Sequence, residues 1–89
     1  MSASTAGTAP QCFIAERFLS HCSAAEFAAV VAAERAAATG MSIELVEALY
    51  IPEDETCFSV LRAADIEGVW RLASAHDLDY QRVLPVLLF

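Results

Sequence analysis

Two histidines, three cysteines and twelve carboxylates give this chain of 89 residues the side chains that ligate metals and carry protons. Their spacing makes no local chelate. No Cys-x-x-Cys, His-x-x-x-His or His-Glu-x-x-His string occurs. His21 and Cys22 are adjacent and His76 stands alone, so a metal site would have to be assembled from separate elements or from two copies. Cys12, Cys22 and Cys57 are odd in number and irregularly spaced, which predicts free thiols in a reducing, cytoplasmic setting rather than a disulfide framework.

Charge narrows the partners. Five arginines against twelve acidic residues give a net charge of −7, and the arginines are scattered. Such a chain repels nucleic-acid phosphates, so no nucleic-acid partner is expected. No apolar run approaches the roughly 20 residues that cross a bilayer, so no membrane partner is expected either. Residues 1–10 carry no basic, apolar leader and read as a flexible tail; residues 11–89 read as one domain.

The elements that would position these groups alternate between the two periods. Residues 11–19, with Phe13, Ile14 and Phe18, predict a strand. Ser23 and Glu26 match the capping box of a helix that runs through Phe27, Val30 and Val31 to a glycine stop at Gly40. Glu34 falls seven residues after Phe27, where the apolar stripe should continue, so that end of the helix is expected to be wetter. Residues 42–51 and 56–63 alternate as strands around the polar turn Pro52–Glu55 and predict a hairpin. Asp65 is the expected cap of a second helix with Ile66, Val69, Trp70 and Ala73 as its buried stripe, and Gly68 there has to be held by packing. A last strand over 82–88 contains Pro85, so it should lie at a sheet edge or carry a bulge.

The order β-α-β-β-α-β predicts an α+β, ferredoxin-like sandwich: a four-stranded antiparallel sheet with both helices on one face. A four-residue hairpin loop sets Ile51 opposite Thr56 and Tyr50 opposite Cys57. On that register Val46, Ala48, Tyr50, Cys57, Ser59 and Leu61 share the bare face, and Ile43, Leu45, Leu49, Ile51, Phe58 and Val60 lie under the helices. Glu16, in phase with Cys12, Ile14 and Phe18, joins Tyr50 and Cys57 on the bare side. An uncovered apolar face in a chain that is 57% hydrophobic predicts a homodimer, in the manner of a dimeric α+β barrel. Glu16, Tyr50 and Cys57 are then the expected ligand-binding residues. Two roles remain for Glu16, a proton acceptor in an apolar cavity or the partner of an arginine. His76 has two as well, a cation at a helix C-terminus or a ligand at the cavity rim.

Short strings distributed over residues 11–89 resemble a family of small ferredoxin-like dimeric proteins that includes a nickel-binding member. They are Phe13-Ile14-Ala15-Glu16-Arg17, Tyr50-Ile51, Asp54, Thr56-Cys57-Phe58, Ala63-Ala64-Asp65, and Ala75-His76 through Val83. Where that family has glycine-leucine-proline after its second helix, this chain has Asp77-Leu78-Asp79. The resemblance implies a divalent metal of nickel type; the residues expected to ligate it here are His76, Glu16 and Cys57. The expected function is a small dimeric binding protein holding that metal or a small ligand at or between the sheets. The alternative is a cofactor-free, isomerase- or cyclase-like enzyme acting on a small hydrophobic substrate between the sheets, with Glu16 or His76 as acid/base and Tyr50 as proton donor.

Overall fold

A computed structural model describes residues 10–89. The tail expected over residues 1–10 lies outside them except for Pro10. The elements follow the expected order: β1 (Gln11–Phe18), α1 (Ala24–Gly40), β2 (Glu44–Ile51), β3 (Thr56–Ala63), α2 (Ile66–His76) and β4 (Arg82–Val86). A short 3-10 turn, Pro52–Asp54, joins β2 to β3. The strands form one antiparallel sheet in the order β2-β3-β1-β4, which is the ferredoxin-like arrangement.

Local chemistry accounts for the element ends. At the start of α1 the Ser23 hydroxyl accepts from the Glu26 amide at 3.1 Å, and the Glu26 carboxylate accepts from the Ser23 amide at 2.7 Å. At the start of α2 the Asp65 carboxylate accepts from the Gly68 amide at 2.8 Å. Gly68 is buried, and a methyl there would come within 3.3 Å of Asp65 Oδ1 and 4.0 Å of Ile43 Cδ1, so close packing holds it. α1 ends at Gly40 as expected. Gly40 is its last helical residue, and the left-handed turn falls on Ser42, at φ 61°. Pro85 lies on edge strand β4 as expected.

The hairpin register is as expected, with Tyr50 opposite Cys57 and Ile51 opposite Thr56. The faces are reversed. Phe13, Ala15, Cys57, Ser59, Leu61 and Ala63 are buried beneath the helices, while Ile14, Glu16, Phe58 and Val60 are only half-buried on the open side. Strand β2 also changes phase, because a bulge between Leu45 and Glu47 leaves Val46 unpaired. Leu45, Ala48 and Tyr50 therefore face the helices, and Glu44, Glu47, Leu49 and Ile51 face away. The expected row Ile43-Leu45-Leu49-Ile51 is split between the two sides.

The core fills the helix side. Phe13, Leu45, Leu61 and Val83 from the sheet meet Val69, Leu72 and Ala73 of α2 and Ala38 of α1, and Leu78 and Tyr80 close one end. Each fully buried leucine contributes about 1.5–3 kcal/mol by leaving water. Trp70, expected in this core, is instead 41% exposed; Leu72 takes the inward position. The helical period allows either residue, but α2 turns the smaller side chain toward the sheet.

The loop after α2 runs through two left-handed non-glycine residues, Asp77 at φ 53° and Asp79 at φ 55°. That backbone region costs an L-residue with a Cβ about 1 kcal/mol. Asp77→Gly should raise the unfolding free energy by about 0.5–1 kcal/mol. Denaturant titration measures this, and an unchanged midpoint would count against strain at Asp77.

Candidate functional site

Below the helices lies a cluster of polar side chains centred on a carboxylate. Glu34 is on the inward stripe of α1, between Val30 and Val31 one turn before and Ala37 and Ala38 one turn after, and is 1% exposed. The sheet makes room for it. Ala48, Ser59 and Ala15 stand side by side across β2, β3 and β1, and these small residues let a carboxylate reach the sheet from above. Ser59 Oγ donates to Glu34 Oε1 at 2.9 Å, Arg17 Nη2 donates to the same oxygen at 3.3 Å, and Tyr80 donates to Glu34 Oε2 in a short hydrogen bond. Arg17 Nη1 also donates to the Leu78 carbonyl at 3.4 Å. Cys57, directly opposite Arg17 in the register, completes the cluster.

A carboxylate and a guanidinium taken out of water together lose several kcal/mol of solvation each, which the mutual attraction and the extra hydrogen bonds must offset. Removing one partner of such a pair costs about 3–5 kcal/mol. The surroundings keep the weaker acids protonated. Burial, then the Glu34 charge and the hydrogen bond to it, push the Tyr80 phenol far above its ordinary 10.0. Burial likewise pushes the Cys57 thiol above 9.0, against the opposing pull of Arg17. A thiol held neutral in this way is a poor nucleophile and a poor metal ligand.

A cleft of 330 Å³ opens beside the cluster, between α1 and the end of α2. Val30, Ala33, Ala37 and Leu78 form its apolar walls, and Arg17 and Glu34 lie at its base. His76 and Asp77 also line it, both exposed.

The residues expected to form one site are divided among three places. Cys57 is in the buried cluster and His76 is at the cleft. Tyr50 is on the helix side as well, but its hydroxyl donates to the Leu19 carbonyl at 2.9 Å and its ring stacks on Phe27 at 5.3 Å. Glu16 is on the open side of the sheet, opposite Phe58 and Arg82. The sheet itself separates Glu16 from Cys57 and Tyr50, so neither the expected ligand trio nor the metal set His76, Glu16 and Cys57 meets within one chain. Among the described residues no group of three or more His, Cys, Asp or Glu is placed to hold a metal ion.

Arg17, Glu34, Ser59 and Tyr80 were not expected. Glu34 did leave a signal, a carboxylate on an apolar stripe seven residues after Phe27, but it reads equally well as a wet helix end. The parity of Arg17 with Phe13 and Ala15 was the complementary hint, since an inward arginine requires an inward acceptor.

The open face is mapped by the register. Glu47, Val60, Ile14 and Leu84 form one row across the four strands, and Leu49, Phe58, Glu16 and Arg82 form the next. Ile51, Thr56 and Phe18 lie beyond these at one end, and Glu44, Arg62, Cys12 and Val86 at the other. Phe18 is 60% exposed, and Leu49 and Leu84 are each 42% exposed. No helix of the described residues is long and apolar enough to cross a membrane.

Tyr80 and Cys57 give the cluster an alkaline signature. Both groups have folded pKa values raised above their unfolded ones, so their contribution is fully present below pH 9.0 and is lost as pH rises through the folded values. Unfolding free energy should therefore fall as pH rises above 9 to 10, and Tyr80→Phe should flatten that fall. Chemical denaturation across the alkaline range reads the slope, and equal slopes in the two proteins would remove Tyr80 from the account. The chain matches no protein-family model, and no curated protein or solved structure matches it.

Proposed function

We propose that the chain works as a homodimeric binding protein rather than an enzyme. Two copies pair through their open sheet faces and enclose a small ligand, or a divalent metal ion of nickel type, between them. The observation that carries this reading is the uncovered apolar face around Ile14, Leu49, Phe58, Val60 and Leu84. Large exposed apolar patches on small domains mark association surfaces.

Size and charge favour a second copy as the occupant. Three strands of eight residues and one of five, side by side, present roughly 450 Å² per copy, so two copies together bury roughly 900 Å², close to the ~1,000 Å² at the lower end for a specific interface. The face carries Glu16, Glu44 and Glu47 against Arg62 and Arg82, so it holds only −1 of the chain's −7. A face so nearly neutral lets two copies of an acidic molecule approach. For the metal version, each copy brings Glu16 to the interface, and carboxylates suit divalent cations. The resemblance of short strings to the nickel-binding family motivates that version; His76 and Cys57, on the far side of the sheet, take no part in it.

Phe58→Glu places a charge in the centre of the paired faces and should weaken the dimer by about a hundredfold or more, while leaving circular dichroism unchanged. Sedimentation equilibrium reads this; a wild-type chain that is monomeric at every concentration would overturn the dimer. Untagged protein should bind nickel at one ion per dimer by elemental analysis, and Glu16→Gln should abolish it. Absence of metal together with no thermal shift on adding nickel would leave only the small-ligand version.

A further inference from the structure

The buried cluster on the helix side has a chemical imbalance that the dimer reading does not use. Arg17 is only 9% exposed, and its Nε has no acceptor among the described residues. Its two hydrogen bonds, at 3.3 and 3.4 Å, are long beside the roughly 2.7–2.9 Å of charge-assisted bonds. A guanidinium offers five N–H donors. Glu34 already accepts from Arg17, Ser59 and Tyr80. The cluster therefore has donors to spare, and what it lacks is an acceptor.

The cleft beside it supplies space for one. At 330 Å³ it lies at the small end of ligand sites, with apolar walls and Arg17 at its base. Electrostatics decide between an anion and a neutral acceptor. Glu34 and Asp77 both line the cleft, and the single Arg17 charge is already matched by Glu34. An added carboxylate would sit beside the buried Glu34, where like charges repel strongly, while the exposed His76 and Asp77 at the rim are screened by water. A carbonyl oxygen accepts the same protons without that repulsion.

We propose that the cleft between α1 and the end of α2 binds a small uncharged carbonyl compound, with its oxygen on the Arg17 guanidinium and a short aliphatic chain along Val30, Ala33 and Ala37. Nε is shielded from water, so the oxygen meets the unused Nη protons of the same guanidinium. The acyl chain displaces water from a wall that has no polar group of its own to satisfy. The site is on the opposite side of the sheet from the dimer face, so each copy holds one independently.

Hexanamide, with hexanoate as its charged counterpart, tests this on the full chain. In a ¹H–¹⁵N NMR titration hexanamide should shift the Arg17 Nε–H signal and the Ala33 and Ala37 amides saturably. Hexanoate should bind more weakly. Arg17→Gln strips Glu34 of its ion pair and is at risk of unfolding, so the informative variant is Ala37→Leu, which fills the cleft and leaves every residue of the cluster in the chain. It should weaken hexanamide binding by about tenfold, equivalent to the burial of about two methylenes. Phe58→Glu, directed at the other face, should leave hexanamide binding unchanged. An Arg17 Nε–H signal that does not respond, equal binding by the wild type and Ala37→Leu, or hexanoate binding as tightly as hexanamide would each overturn the proposal.

Discussion

One carboxylate sets the terms for the helix side of this molecule. Once α1 lies along the sheet, Glu34 is out of water, and everything within reach must satisfy it. That requirement explains why β3 has a serine where a larger apolar residue would pack better, and why alanines flank that serine on both neighbouring strands. It explains why β1 turns an arginine inward, and why the chain after α2 brings a tyrosine back beneath the helices. An all-apolar version of this layer could be as stable. The polar one fixes how α1, β1, β3 and the last loop meet, because sliding any of them by one residue would strand a buried charge.

The same requirement accounts for the reversal of the sheet's faces. Cys57, Ser59 and Ala48 are smaller than Leu49, Phe58 and Val60, and by size alone they are the weaker candidates for the covered side. They are covered because Glu34 needs them there. The bulkier Leu49, Phe58 and Val60 are then left facing outward. Beneath the helices one polar cluster sits within an otherwise apolar core, and on the open face Leu49, Phe58 and Val60 stand among Glu16, Glu47 and Arg82.

What could be read from the chain was whatever depends on near neighbours. Ser23 with Glu26, Asp65 before α2, the turn at Pro52, Pro85 at an edge and the pairing of Tyr50 with Cys57 are each decided within a few residues, and each is found in place. Which face the helices cover was not decided locally, because both parities of β2 and β3 carry apolar residues. The position of Glu34 depends on Arg17 and Tyr80, 17 residues before it and 46 after it, and only the folded chain joins them. Trp70 and Leu72 likewise compete for one inward direction, and hydropathy cannot rank them.

The bulge at Val46 has a consequence for how the two faces could change over time. A strand alternates strictly, so its pattern is a reading frame of period two. Val46 is an inserted beat that lets Leu45 and Tyr50 point the same way although they are five residues apart. Loss of that single residue would leave the same pairs in an unbroken alternation, and both faces as they are. Pairing it is what would change them: with Leu45 still anchored opposite Leu61 and Val46 set opposite Val60, Leu49 and Ile51 would turn inward and Tyr50 outward. The apolar character of the open face along this edge is thus encoded less by which residues β2 contains than by the one residue that is left out of the count.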